Sequence, residues 1–153
     1  MTSIRKFRPG VLLFTLVITA ACAEATAAPP EMTVYATPTC GCCGAWIEHM
    51  RESGFTVQVV YQDDLSAIRR EHRVPAEVTS CHMGVVGGFV VEGHVPAAVV
   101  NRLLTERPAV LGVAVPGMPV GSPGMEHPSG VVQPYDIYTF DAQGPTAVYE
   151  HRN

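Results

Sequence analysis

Apolar and polar positions change their spacing segment by segment along this chain, and the spacing predicts the elements. Met32 to Ala36 is a short extended apolar run, read as a first strand. After a cysteine-rich turn, Trp46, Ile47 and Met50 recur at helical spacing, and Gly54 stops that helix. Phe55 to Tyr61, rich in valine, is a second strand, and Asp63 or Asp64 caps a helix carrying Leu65 and Ile68 toward His72. Val85-Val86 and Phe89 to Val91 flank Gly87-Gly88 as a hairpin. Pro96 opens a helix with Val99, Val100, Leu103 and Leu104 on one stripe, ending before Pro108. The predicted order is β-α-β-α-β-β-α.

Beyond Pro108 the pattern breaks down. Seven of the 13 prolines fall between Pro108 and Pro145, and residues 116–125 follow no helical or strand period. Tyr135 to Phe140 and Ala147 to His151 alternate as a hairpin would, around Asp141 to Pro145. A loop anchored at both ends, and carrying Met118, Met125 and His127, is expected to fold over the domain rather than trail as a tail.

The first residues bear on compartment. Arg5, Lys6 and Arg8 precede an apolar stretch from Val11 to Ala21, and A-x-A spacings such as Ala25-Thr26-Ala27 follow. Residues 1–28 are expected to be a secretory signal, leaving one exported domain at 29–153. Thr19-Ala20-Ala21 before Cys22 makes a poor lipoprotein signal, so Cys22 is expected to leave with the leader; a lipid there is the one membrane attachment the sequence leaves open. Setting aside Arg5, Lys6, Arg8 and Glu24 from 10 basic and 14 acidic residues leaves 7 against 13, with no lysine. A surface of that sign repels phosphate backbones and anionic lipid, which disfavours nucleic-acid and membrane-surface roles.

The chemistry is concentrated in Thr37-Pro38-Thr39-Cys40-Gly41-Cys42-Cys43-Gly44, where a strand turns into a helix. Four cysteines in an exported domain usually mean structural disulfides. Here three crowd into four positions and can staple nothing distant except through Cys81. Cys40 and Cys43 have the C-x-x-C spacing of thiol-disulfide exchange, and a helix N-terminus favours the thiolate that both nucleophilic attack and metal ligation require. Thiolate and thioether select Cu(I), while imidazole serves Cu(I) or Cu(II). Zinc is the rival, but structural zinc usually takes two separated ligand pairs. Met118 and Met125 stand in a loop that offers methionine little burial. Met50 is expected in the core. His82 and Met83 either extend the ligand set at Cys81 or are strand residues. His94, between Gly93 and Val95-Pro96, is expected at or beside the metal, or exposed in its loop; His49, His72 and His151 read as surface histidines, and His127 as a weaker candidate than His94.

The element order, with C-x-x-C after the first strand, resembles the thioredoxin-like fold. That resemblance implies a cis-proline near Val74-Pro75 and places Cys81 opposite the cluster. Thr37 to Cys43, Ser80-Cys81-His82, Gly93-His94-Val95-Pro96 and Pro116-Gly117-Met118-Pro119 through Met125 resemble, in order, the segments of the CopG family, small exported proteins linked to copper resistance. Met83 departs from that pattern, where threonine is common. The resemblance covers nearly the whole mature chain. It implies an α/β, thioredoxin-like domain with a Pro/Gly/Met-rich loop and C-terminal β-hairpin. It further implies a periplasmic protein that holds copper through Cys40, Cys42, Cys43 and Cys81, with His94, Met118 and Met125 as further ligands, and interconverts Cu(I) and Cu(II). Copper ions, and other periplasmic copper-handling proteins, are the partners it implies. The alternative is a thiol-disulfide oxidoreductase in which Cys40 attacks and Cys43 resolves. Cys42 discriminates, because a dithiol exchanger needs no third thiol. The residues leave open whether the protein is a catalyst such as a copper oxidoreductase, a store or a carrier.

Overall fold

The computed structural model describes residues 28–153. The expected signal segment and Cys22 lie outside the described residues, apart from Ala28. Among the described residues, no helix is long and apolar enough to cross a membrane.

The predicted first half forms in the order read, with β3 beginning at His82 rather than at Val85. Strand β1 (Glu31–Ala36) leads into helix α1 (Gly41–Glu52), then β2 (Thr56–Tyr61) and a short α2 (Ser66–Glu71). A 3-10 turn at Ala76–Val78 precedes β3 (His82–Val86), β4 (Phe89–Glu92) and helix α3 (Ala97–Glu106). β1 pairs in parallel with β2 and antiparallel with β3, and β3 pairs antiparallel with β4. Gly87 and Gly88 both take positive φ, 57° and 88°, which the two-residue hairpin between β3 and β4 demands. Asp64 Oδ1 accepts the Ser66 N–H at 2.9 Å and its hydroxyl at 2.7 Å just ahead of α2, although the N-cap position itself falls to Leu65 rather than to Asp63 or Asp64.

The second half corrects the reading. Gly112–Ala114 forms a strand, β5, that the Pro/Gly-rich composition concealed; it pairs in parallel with β4. A Cβ at Gly112 would lie 2.0 Å from the Val90 carbonyl oxygen, so only glycine permits this pairing. β6 (Tyr135–Asp141) pairs antiparallel with β5, and β7 (Gly144–Arg152) with β6. The C-terminal hairpin therefore extends one sheet in the order β2-β1-β3-β4-β5-β6-β7. Its turn is tighter than the expected Asp141 to Pro145, because β7 already begins at Gly144. The expected cis-proline is absent: every described peptide bond is trans, and Pro75 leads into the 3-10 turn, leaving Cys81 immediately before β3.

Trp46, Ile47 and Met50 of α1 and Val99, Val100 and Leu103 of α3 pack with Met32, Val34, Val86 and Val91 in one core cluster. Burying each such side chain contributes about 1.5–3 kcal/mol. Trp46 is fully buried and its indole N–H donates to the Val95 carbonyl at 2.9 Å, tying α1 to the start of α3. His49, expected as a surface histidine, instead accepts the Ala97 N–H at 3.1 Å through Nε2 and caps α3. This packing fixes the N-terminus of α1 beside the start of β3.

Candidate metal centre

Cys40 is the N-cap of α1, and its Sγ accepts the Cys43 N–H at 3.3 Å. The turn that begins the helix thereby gathers the three clustered cysteines. Cys81, on the segment entering β3, comes from the other side. The Sγ atoms of Cys40, Cys42, Cys43 and Cys81 all lie within 4.8 Å of one another. Cys40 and Cys43 are joined as a disulfide, while Cys42 and Cys81 are free. Cys42 Sγ is 3.5 Å from Cys40 Sγ, and Cys43 Sγ is 3.7 Å from the Cys81 carbonyl oxygen.

Cys81 also belongs to a second group, with His82 and His94, whose ligand atoms again fall within 4.8 Å of one another. His94 Nε2 lies 3.1 Å from Cys81 Sγ, and its Nδ1 lies 2.8 Å from the Pro123 carbonyl oxygen. A carbonyl only accepts, so Nδ1 carries the proton and the Nε2 lone pair faces the sulfur. Metal-binding histidines are commonly oriented this way, through the far nitrogen. Burial holds the His94 pKa below its ordinary value, against the Pro123 carbonyl and Glu126, which favour the charged ring. His94 is fully buried, so the exposed-loop alternative fails.

His82 is a strand residue that also reaches the site, with Nδ1 3.3 Å from Cys81 Sγ. Burial, and then the neighbouring His94, push its pKa down to about 3. Its ring lies 4.3 Å from the Trp46 ring and 4.9 Å, edge-on, from that of His94. Its Nε2 is buried without a hydrogen-bond partner. The free Cys81 thiol, faced by His82 Nδ1 and by Nε2 of a second neutral imidazole, is a donor set that fits a soft or borderline metal ion. Met83, beside it, is fully buried in the core. Burial, and then Cys42, push the Cys81 thiol up to about 11, so at neutral pH a metal ion must displace its proton.

The strap 116–125 does fold over the domain. Met118 is half exposed, and its Sδ lies 3.9 Å from Cys42 Sγ. Met125 is brought to the same strap, where its backbone closes a turn with Ser122 and Gly121; Met118 rather than Met125 makes the contact with Cys42. Gly124 lies against the first turns of α1, where a Cβ would be 2.8 Å from the Cys42 carbonyl oxygen and 2.7 Å from the Trp46 nitrogen. His127 is exposed and bonded to Ser129, and His151 is exposed and paired with Asp136 at 2.6 Å.

Sequence reasoning missed the buried pair formed by Arg69 of α2 and Glu92 of β4, with Nη2 2.6 Å and Nε 3.1 Å from Oε1. The Ser80 N–H donates to the same oxygen at 2.8 Å. Burial pushes Glu92 up to about 7, while the converging donors favour its carboxylate. The signal was a lone glutamate closing the apolar run of β4.

Two solved chains, described as "Copper resistance protein copG", Form 1 and Form 2, are 41% identical to this one. Form 1 covers 81% of this chain and 98% of its own at a TM-score of 0.75; Form 2 covers 82% and 99% at 0.76. The family model described as "Protein of unknown function, DUF411" matches residues 78–125, which include Cys81, His82, His94, Met118 and Met125 but not the α1 cysteines. No curated protein matches.

Proposed function

The chain belongs to the CopG family of copper resistance proteins, and from that premise we propose that it binds periplasmic copper, holding Cu(I) among Cys40, Cys42, Cys43 and Cys81. The observation that carries this reading is the approach of four sulfurs to within 4.8 Å, drawn from two separate segments. Thiolates in that density can bridge Cu(I) ions and keep oxygen donors away. Cys40 and Cys43 become ligands only once their disulfide has taken up two electrons and two protons. Met118 is a further soft ligand at the solvent side, and Met125 a more distant one.

Cys81 with His82 and His94 forms a two-imidazole, one-thiolate set of the kind that accommodates Cu(II). Imidazole donors stabilise Cu(II) relative to thiolates alone, so copper held by this set would give one electron to an acceptor outside the chain at lower cost, which supports the reading that Cu(I) and Cu(II) interconvert here. In this reading residues 29–153 act as one domain after removal of 1–28. The β2-β1-β3-β4 half with α1 and α3 is taken as its thioredoxin-like part, and other periplasmic copper-handling proteins exchange metal with it.

Thiol-disulfide exchange by Cys40 and Cys43 has the joined pair in its favour. It assigns nothing to Cys42, Cys81 or the two buried imidazoles. Competition titration of reduced protein with Cu(I) separates the readings: Cys42→Ser and Cys81→Ser should each weaken binding by about 100-fold, the upper end of the effect of disturbing even a ligand's supporting shell. Disulfide turnover that survives both substitutions, with Cu(I) affinity unchanged, would overturn the copper reading.

A further inference from the structure

Ser80 sits at a crossing of three segments, and in each the next residue is a proposed copper ligand. Cys81 follows Ser80 itself. His94 follows Gly93, where a Cβ would lie 2.7 Å from the Ser80 Cβ and Oγ and 2.5 Å from the Val115 carbonyl oxygen. Gly93 takes φ +74°, so both conformation and space require glycine there. Met118 follows Gly117, whose carbonyl accepts the Ser80 hydroxyl at 2.6 Å. The same hydroxyl is 4.0 Å from Cys81 Sγ, so its single proton goes to the carbonyl.

The buried ion pair anchors the junction. Ser80 N–H donates to Glu92 Oε1 at 2.8 Å, and Arg69 Nη2 donates to the Ser80 carbonyl at 2.6 Å while holding the same Glu92 oxygen. Both backbone groups of Ser80 are thus held by a pair whose carboxylate is fully buried. We infer that Ser80, clamped by Arg69 and Glu92, is a positioning residue that holds the Met118 strap in register with Cys81 and His94. Nothing in the copper chemistry calls for a serine at this point. Its side chain spans from the β3 entry to the strap, and without it the hydroxyl link to Gly117 is gone.

This inference rests on the copper reading, and its test separates the two. Ser80→Ala, Met118→Leu and the double variant are titrated with Cu(I) against a competing chelator, anaerobically and fully reduced. Alkylation of Cys42 by iodoacetamide is followed in the metal-free proteins, since Met118 Sδ lies 3.9 Å from that thiol. Ser80→Ala should weaken Cu(I) binding by about fivefold, the worth of one neutral hydrogen bond. It should weaken it no further in the Met118→Leu background, because the two act through one contact. Cys42 should be alkylated several-fold faster in Ser80→Ala than in the unsubstituted protein. Additive losses, or a Ser80→Ala protein indistinguishable in affinity, would overturn the positioning role. Failure of the unsubstituted protein to take up Cu(I) would refute the copper reading alone; the alkylation arm needs no metal, and an unchanged Cys42 rate there overturns the junction.

Discussion

Gly124→Ala tests whether the strap is seated on α1 by close contact. Gly124 has φ +84°, and a Cβ there would lie 2.7 Å from the Trp46 nitrogen, 2.8 Å from the Cys42 carbonyl oxygen and 3.2 Å from the Trp46 Cα. All three are backbone atoms of a helix, so the strap has to give way. Restoring ordinary contact at 3.4 Å displaces it by about 0.7 Å. That displacement stretches the 2.8 Å bond from His94 Nδ1 to the Pro123 carbonyl to about 3.5 Å, the end of hydrogen-bonding range. The lost bond costs about 1 kcal/mol and the left-handed alanine about 1–2 kcal/mol, so metal-free protein should lose about 2–3 kcal/mol in urea denaturation. Gly130→Ala is the control, because Gly130 has φ +71° with nothing within 4 Å and should lose only the conformational share. Cu(I) affinity should fall in Gly124→Ala and hold in Gly130→Ala. Equal destabilisation by the two substitutions, with copper affinity intact, would refute the seating of the strap.

Three further outcomes are expected. Arg69→Met leaves the Glu92 carboxylate buried and unpaired, and should destabilise the protein by about 3–5 kcal/mol in chemical denaturation; Arg69→Met with Glu92→Met should recover part of that loss. His82 is held neutral with its pKa near 3, whereas the unfolded chain binds the proton near 6.5. The unfolded state therefore holds more protons between those values, and stability falls as pH drops through that window. Metal-free protein should show this loss as a steeper decline between about pH 6.5 and 4 than His82→Phe, in which Glu92 and the other titrating groups are retained; parallel curves would refute it. Oxidation of the Cu(I)-loaded protein should give a Cu(II) electron paramagnetic resonance signal with nitrogen superhyperfine structure, and His94→Ala should reduce that structure; a nitrogen-free signal in the unsubstituted protein would remove the imidazoles from the site.

Elements with a dense period were legible in the sequence. α1 could be read because Trp46, Ile47 and Met50 must share one face, and the β3-β4 hairpin because Gly87-Gly88 can adopt the turn that alternation on either side requires. β5 was not legible: three residues carry no period, and its existence depends on Gly112 fitting against Val90 across the sheet, a tertiary fact. The approach of Cys81 to Cys40, Cys42 and Cys43 came from the resemblance, because spacing cannot show that two segments 38 residues apart meet. Glycine and proline flanking His94 left its burial open in the sequence; the ring is fully buried in its loop, with Nδ1 bonded to the Pro123 carbonyl of the strap 29 residues away. His49, Ser80 and the Arg69–Glu92 pair were invisible for the same reason, since each acts through partners distant in sequence.

The central claim is that these cysteines gather soft metal in numbers a simple dithiol cannot hold. Anaerobic titration of reduced protein with Cu(I), followed by metal counting in native mass spectrometry, tests it most directly. The result expected is more than one tightly held copper ion, with the count falling when Cys42 or Cys81 is replaced by serine. A single weakly held ion, indifferent to both substitutions, would contradict the account.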